Sequence, residues 1–159
     1  MSQAGPLATI TAAMSSFVGV LLGGFISDRW VQRNLKGRIY TGVVGLAFTI
    51  PALFLLGYGS GFEFILLGGM LFGLGFGIFD VNNMPILCQF VSPRHRATGY
   101  GLMNLAGISA GAVITSFLGK SADAGNMRHD FAMLSLIVVV AIIFQLTLLK
   151  PVTANKTED

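Results

Sequence analysis

The stretch Gly23-Gly-Phe-Ile-Ser-Asp-Arg-Trp-Val-Gln-Arg-Asn-Leu-Lys-Gly-Arg38 joins two long apolar runs. One acid, Asp28, closes the first run, and four cations, Arg29, Arg33, Lys36 and Arg38, follow within ten residues. Two membrane-length hydrophobic segments with a short basic connector read as a helical hairpin whose turn lies in the cytoplasm, because short cytoplasmic loops are enriched in Lys and Arg.

Working outward, the composition agrees with a membrane environment. Of 159 residues, 53% are hydrophobic and 11% charged, against about 25% charged in soluble domains. The charges cluster and leave long uncharged tracts, so the net charge of +3 records loop orientation. No basic run is interleaved with aromatics, so a nucleic-acid partner is not expected. Cys88 is the single cysteine, which excludes an internal disulfide and a thiol metal cluster. No metal and no cofactor are expected.

The chain divides into five apolar spans, predicted at 6–26, 39–58, 62–91, 97–119 and 131–149, forming one transmembrane bundle over 1–150. The fold class is therefore all-α, a polytopic membrane helix bundle. Residues 151–159 read as a disordered cytoplasmic tail. The near-immediate start of the first span suggests the tail end of a longer protein. Five spans put the ends on opposite sides, and eight cations fall on the side of the 23–38 connector against two, Lys120 and Arg128, on the other. The connector, the 92–96 loop and the C-terminus are thus expected in the cytoplasm of a cell with a plasma (inner) membrane location. Trp30, Tyr40 and Tyr100 fall at that interface and Tyr58 at the opposite one, as an aromatic belt requires.

Small residues indicate which faces meet protein. Gly69, Gly73 and Gly77 recur every four residues in the third span, and Gly107 with Gly111 repeats the spacing in the fourth, which lets a neighbouring backbone approach closely. Thr11, Ser15, Gly19 and Gly23 form a similar stripe in the first. The second and fifth spans show no such stripe. The first, third and fourth spans are accordingly expected inside the bundle, with the second and fifth facing lipid.

Asp80 is the one charged residue deep within a span. A charge at a helix centre costs about 2.5 to 3.5 kcal/mol on insertion scales, although Asp80 lies about 27 Å along its helix, near the cytoplasmic face. It reads either as a paired or water-accessible acid organising the helix end, or as a proton- or cation-coupling group. Asn82, Asn83 and Asn104 can donate and accept hydrogen bonds, which suits either interhelical bonding or recognition of hydroxyls and carboxylates. These four are the candidate cavity or coupling residues. No catalytic constellation is visible, so an enzyme is not expected. Gly73-Leu-Gly-Phe-Gly77 lies inside an apolar span and reads as packing, not as a nucleotide loop.

Gly24-Phe-Ile-Ser-Asp28-Arg29, with Arg33 four residues on, resembles the cytoplasmic hairpin signature of the major facilitator superfamily, although Val31 stands where a second glycine is usual. Gly73-Leu-Gly75-Phe-Gly77, Pro85, Arg94-His-Arg96-Ala97, Gly99, Gly101 and Asn104 are similar to the superfamily's junction of helices ten and eleven. The resemblance implies that the five spans correspond to helices eight to twelve of a twelve-helix transporter. The Ser-Asp-Arg-Trp and Arg-His-Arg-Ala-Thr-Gly spellings are most similar to the anion:cation symporter and sugar-acid permease branch. It further implies that Gly24, Asp28, Arg29 and Arg33 form a conformational hairpin motif, Asp28 meeting a helix end of the opposite half while Arg29 and Arg33 close the charge network.

On this reading the chain is a C-terminal fragment of a secondary active transporter, moving a small organic anion or sugar acid with H⁺ or Na⁺ by alternating access. Its partners are the lipid bilayer, that substrate and the missing N-terminal half, without which transport is not expected. The alternative is a non-transporting membrane scaffold or truncated gene product.

Overall fold

The structure, a computed structural model, describes residues 4–59, 61–123 and 127–149. The expected tail at 151–159 lies outside the described residues. Five helices account for nearly all of the described chain: α1 (Ala4–Val31), α2 (Gly37–Tyr58), α3 (Phe62–Leu87), α4 (Arg96–Asp123) and α5 (Met127–Leu148), with a 3₁₀ turn at Pro93–His95 before α4. Each contains a segment long and apolar enough to cross a membrane. The 26 residues of α3 extend about 39 Å, more than a hydrocarbon core of about 30 Å.

Helix ends depart from the apolar runs that suggested them. α1 continues past Ile26 to Val31, because backbone hydrogen bonding persists where solvated Asp28 and Arg29 replace apolar residues. α3 stops at Leu87, not at Val91. Pro93 holds Ser92 extended, at ψ 150°, since the residue before proline is driven out of the helical region. Between them the chain tightens, Gln89 N bonding Ile86 O and Phe90 N bonding Leu87 O. The Arg96 guanidinium then donates to Cys88 O at 3.3 Å and Val91 O at 3.4 Å, satisfying carbonyls left over at the helix end.

Burial is inverted relative to a soluble protein. Glycines and small polar residues fill the interfaces of α2 and α3, while Phe17 (67% exposed), Phe25 (67%) and Ile108 (72%) point outward. Where the surroundings are as apolar as the side chains, helices associate by close backbone packing, and small residues permit it. The molecule is an integral membrane helix bundle.

α3 is its centre. α1 runs parallel to it: Gly73 lies against Ala12 O, Gly77 against Ser16 O, and Gly19 against Leu74 O, while a Cβ on Gly23 would lie 2.8 Å from Ile78 Cα. The small-residue face of α1 is therefore Ala12, Ser16, Gly19 and Gly23, not the expected stripe through Thr11 and Ser15. On its other side α3 meets α2 antiparallel. A Cβ on Gly45 would stand 2.6 Å from Phe79 N and 2.7 Å from Gly75 O, and one on Gly75 would stand 2.6 Å from Gly45 O. α5 covers the far face of α2, with Gln145 at Gly42 and Phe131 at Gly57.

The expected division of helices is thus corrected in two places. α2 is interior, between α3 and α5, because Gly42, Gly45, Thr49 and Ala52 form a small-residue face that is buried throughout. α4 is open along its length and touches α3 and α5 only sparsely. Gly107 and Gly111 have nothing within 4 Å among the described residues, so the packing expected of them finds no partner there.

Candidate functional site

The connector folds as a tight turn. Trp30 O accepts from Arg33 N at 3.0 Å and Asn34 N at 2.9 Å, and Asn34 O accepts from Gly37 N at 2.8 Å. Asn34 Oδ1 accepts from Lys36 N at 2.9 Å, an Asx-type contact that holds the turn. Gly37 is demanded by space: a Cβ there would lie 2.6 Å from Trp30 C. Gly24, singled out by the signature, has room, the nearest atom to a Cβ being Val81 Cγ2 at 3.9 Å. The crowded position is its neighbour Gly23.

This turn brings the last turn of α1 beside the first turn of α2. Arg38 Nη2 donates to Asp28 Oδ1 at 3.0 Å. The Asp28 side chain is 68% exposed and that of Arg38 25%. Among the described residues, Asp28 pairs with Arg38, and no ion pair joins it to Arg29 or Arg33 within these five helices. Both of those side chains are exposed, Arg29 in the last turn of α1 and Arg33 in the turn after it. Arg38 was not among the sequence candidates; its signal was the last cation of the connector, one residue beyond Gly37. At the same end, Gln89 Nε2 donates to Leu35 O at 3.2 Å, which ties the close of α3 to the connector.

The polar residues of α3 separate into two groups. Asp80 is exposed, and its Oδ1 accepts from Asn83 Nδ2 at 3.2 Å. Asn83 also lines a crevice of about 370 Å³ between α3, α4 and α5, with Phe79, Leu87, Met103 and Gln145 among its walls. Asn82 faces the opposite way. It is 1% exposed, its Nδ2 donates to Ile78 O at 2.9 Å, and its Oδ1 has no partner. Asn104 is exposed on α4 and is not brought to the α3 residues. The four candidates therefore do not form one site; Asp80 and Asn83 bond each other, and of the two Asn83 lines the crevice. Gln145, which sequence reasoning left in a lipid-facing helix, lines the same crevice and donates to Ile39 O at 3.3 Å. Among the described residues no group of His, Cys, Asp and Glu could hold a metal ion.

A bundle of apolar helices with a basic hairpin and glycine-lined contacts defines a polytopic membrane protein. The Major Facilitator Superfamily profile matches residues 1–159, and the chain belongs to that superfamily. It is similar to the minor myo-inositol transporter IolF of Bacillus subtilis (strain 168), with 30% identity over 152 residues, covering 94% of this chain and 33% of the relative. The chain thus spans about a third of the length of that curated relative. No solved structure matches it.

Proposed function

We propose that the chain forms helices eight to twelve, the C-terminal portion, of a secondary active transporter that moves a small polyhydroxylated solute with H⁺ or Na⁺ by alternating access. The observation that carries this is the hairpin: Asp28, held by Arg38 yet 68% exposed, offers a carboxylate to a neighbouring helix end, where a positive helix N-terminus would attract it. The orientation follows the charge excess, with the hairpin and C-terminus in the cytoplasm and the bundle in the plasma (inner) membrane. In this reading the protein transports and does not catalyse.

The substrate class rests on the amides of α3 and α4. Asn83 and Asn104 are amides suited to hydroxyls, and the relative's name gives a cyclic polyol. A sugar acid remains within the class, but none of the cations lies inside the apolar runs, so its carboxylate would be read by residues outside this chain. Uptake of labelled inositol and labelled sugar acids into proteoliposomes tests the reading. We expect no uptake by this polypeptide alone and uptake of one of the two by the completed transporter. Transport by the chain alone would overturn its dependence on further helices; failure of the completed protein on both solutes would overturn the substrate class. A non-transporting scaffold is the second reading, supported by the open length of α4, on which another membrane helix could dock.

A further inference from the structure

Where the end of α1 meets the start of α2, a notch of about 420 Å³ has Trp30, Arg33, Asn34, Tyr40, Val43 and Val44 in its lining. The lining is graded with depth. Arg33 and Asn34 belong to the connector turn, Trp30 and Tyr40 to the helix turns that adjoin it, and Val43 and Val44 to the next turn of α2, about 5 to 6 Å further into the membrane. The notch is thus cationic and polar at its mouth, aromatic in the middle and aliphatic below. Trp and Tyr take up that middle position at the level of lipid headgroups.

Charge at the mouth is unbalanced. Of the connector cations, Arg38 is taken by Asp28 at 3.0 Å, and among the described residues no acid pairs with Arg33. Asn34 Oδ1 is spent on Lys36 N at 2.9 Å, which leaves its Nδ2 to donate. The guanidinium and this amide nitrogen are both donors, whereas a phosphodiester offers acceptors and negative charge, and Arg matches phosphate oxygens with two parallel bonds. A soluble anion would use the donors and leave Trp30, Val43 and Val44 uncovered; an amphiphile covers both. A choline headgroup brings its own cation to Arg33 and is the poorer match. We propose that this notch binds an anionic phospholipid, Arg33 and Asn34 Nδ2 donating to the phosphate while the first acyl carbons lie on Val43 and Val44. On the orientation proposed above it opens to the cytoplasmic leaflet, whose anionic lipids attract basic segments beside a membrane helix. A lipid held there would brace the hairpin that carries Asp28, whatever solute the protein moves.

Trp30 is the one tryptophan of the 159-residue chain, so its emission reads the occupant of this notch. The chain is placed in vesicles of phosphatidylcholine with brominated acyl chains, which quench it, and unbrominated phosphatidylglycerol and phosphatidylcholine are compared as displacers of the quencher. Phosphatidylglycerol should restore the emission at about one-fifth of the mole fraction that phosphatidylcholine requires, the preference that one cation near an anionic headgroup confers. Arg33→Gln changes an exposed side chain outside the helices, so its helix content by circular dichroism should match the wild type while the preference falls more than about twofold. Arg94→Gln, in the other basic loop, should keep the preference. A wild-type preference below about twofold, or a preference in Arg33→Gln within about twofold of the wild type, overturns the proposal. Equal losses in Arg33→Gln and Arg94→Gln would mean a diffuse surface charge and overturn it as well. Sodium phosphate in place of sodium chloride at equal ionic strength should leave the preference unchanged; its disappearance there would assign the mouth to a soluble phosphate instead of a lipid.

Discussion

Gly45→Ala adds one methyl group where α2 and α3 have no room for it. The new Cβ would lie 2.6 Å from Phe79 N and 2.7 Å from Gly75 O, both backbone atoms that cannot swing aside, whereas ordinary contact begins at 3.4 Å. The helices must part by about 0.8 Å at this level. A gap of that size forfeits a quarter to a half of the dispersion energy of each contact it opens, and the neighbouring contacts at Thr49 and Ala52 open with it. Overpacking of this kind costs about 1 to 3 kcal/mol, and for a chain of this size each kcal/mol moves the melting temperature by about 2 to 4 °C. A fall of about 3 to 10 °C is therefore expected, measured by a thiol-reactive dye that reports unfolding through Cys88, the one cysteine. Gly107→Ala is the matched control. It has nothing within 4 Å, and alanine in place of glycine in a helix gains about 0.5 to 1 kcal/mol, so its melting temperature should hold or rise. Equal behaviour of the two variants would refute the claim that α3 is packed by backbone approach while α4 stands open.

Arg38→Ala should cost at most about 1 kcal/mol of stability, a fall of no more than about 4 °C in the melting temperature of the chain, since the pair it breaks is largely solvated, whereas Asp28→Asn in the completed transporter should depress uptake with near-normal insertion; unchanged uptake removes the gating role. Arg96→Ala should uncover Cys88 O and Val91 O and speed amide hydrogen exchange across residues 88–92 at little global cost, about 1 kcal/mol; unaltered exchange there would mean the guanidinium does not hold the end of α3. Single cysteines at Arg33, His95 and Lys120 in a Cys88→Ser background should label with a membrane-impermeant maleimide from one side for the first two and from the opposite side for the third. Labelling of positions 33 and 120 from the same side would overturn the five-span topology.

The five helices were legible because uncharged runs of this length have few other solutions, but their ends were not. Hydropathy locates the bilayer, whereas Asp28 and Arg29 extend α1 on backbone hydrogen bonds that hydropathy does not register. The interior place of α2 was available in the spacing of Gly42, Gly45, Thr49 and Ala52, which mixes steps of three and four and so escapes a search for glycine every fourth residue. The Asp28–Arg38 pair depends on how tightly residues 32–36 turn, a property of Asn34 and Gly37 rather than of the charges. The candidate cavity residues were grouped by their hydrogen-bonding chemistry, which does not say where each one faces, and Asn82 stands about 100° from Asn83 and is buried where Asp80 is exposed. In α4 the small-residue stripe could be read, but a stripe does not name its partner.

The two kinds of contact around α3 bear on how the proposed transporter would move. Backbone-to-backbone packing at Gly19, Gly23, Gly73 and Gly77 on one side and Gly45 and Gly75 on the other leaves no slack for α1, α2 and α3 to slide, because such contacts have no flexible side chain to absorb a displacement. These three helices would therefore rock as one body in alternating access. Asp28 stands at the end of that body, and the Asn34 turn and Gln89 hold the connector to it. A force applied to the exposed carboxylate is then delivered to the whole three-helix unit and not dissipated in a loop. Asn83 rides on the same unit while Met103 across the crevice belongs to the loosely held α4, so relative motion of the two would change the width of the crevice beside the Asn83 amide.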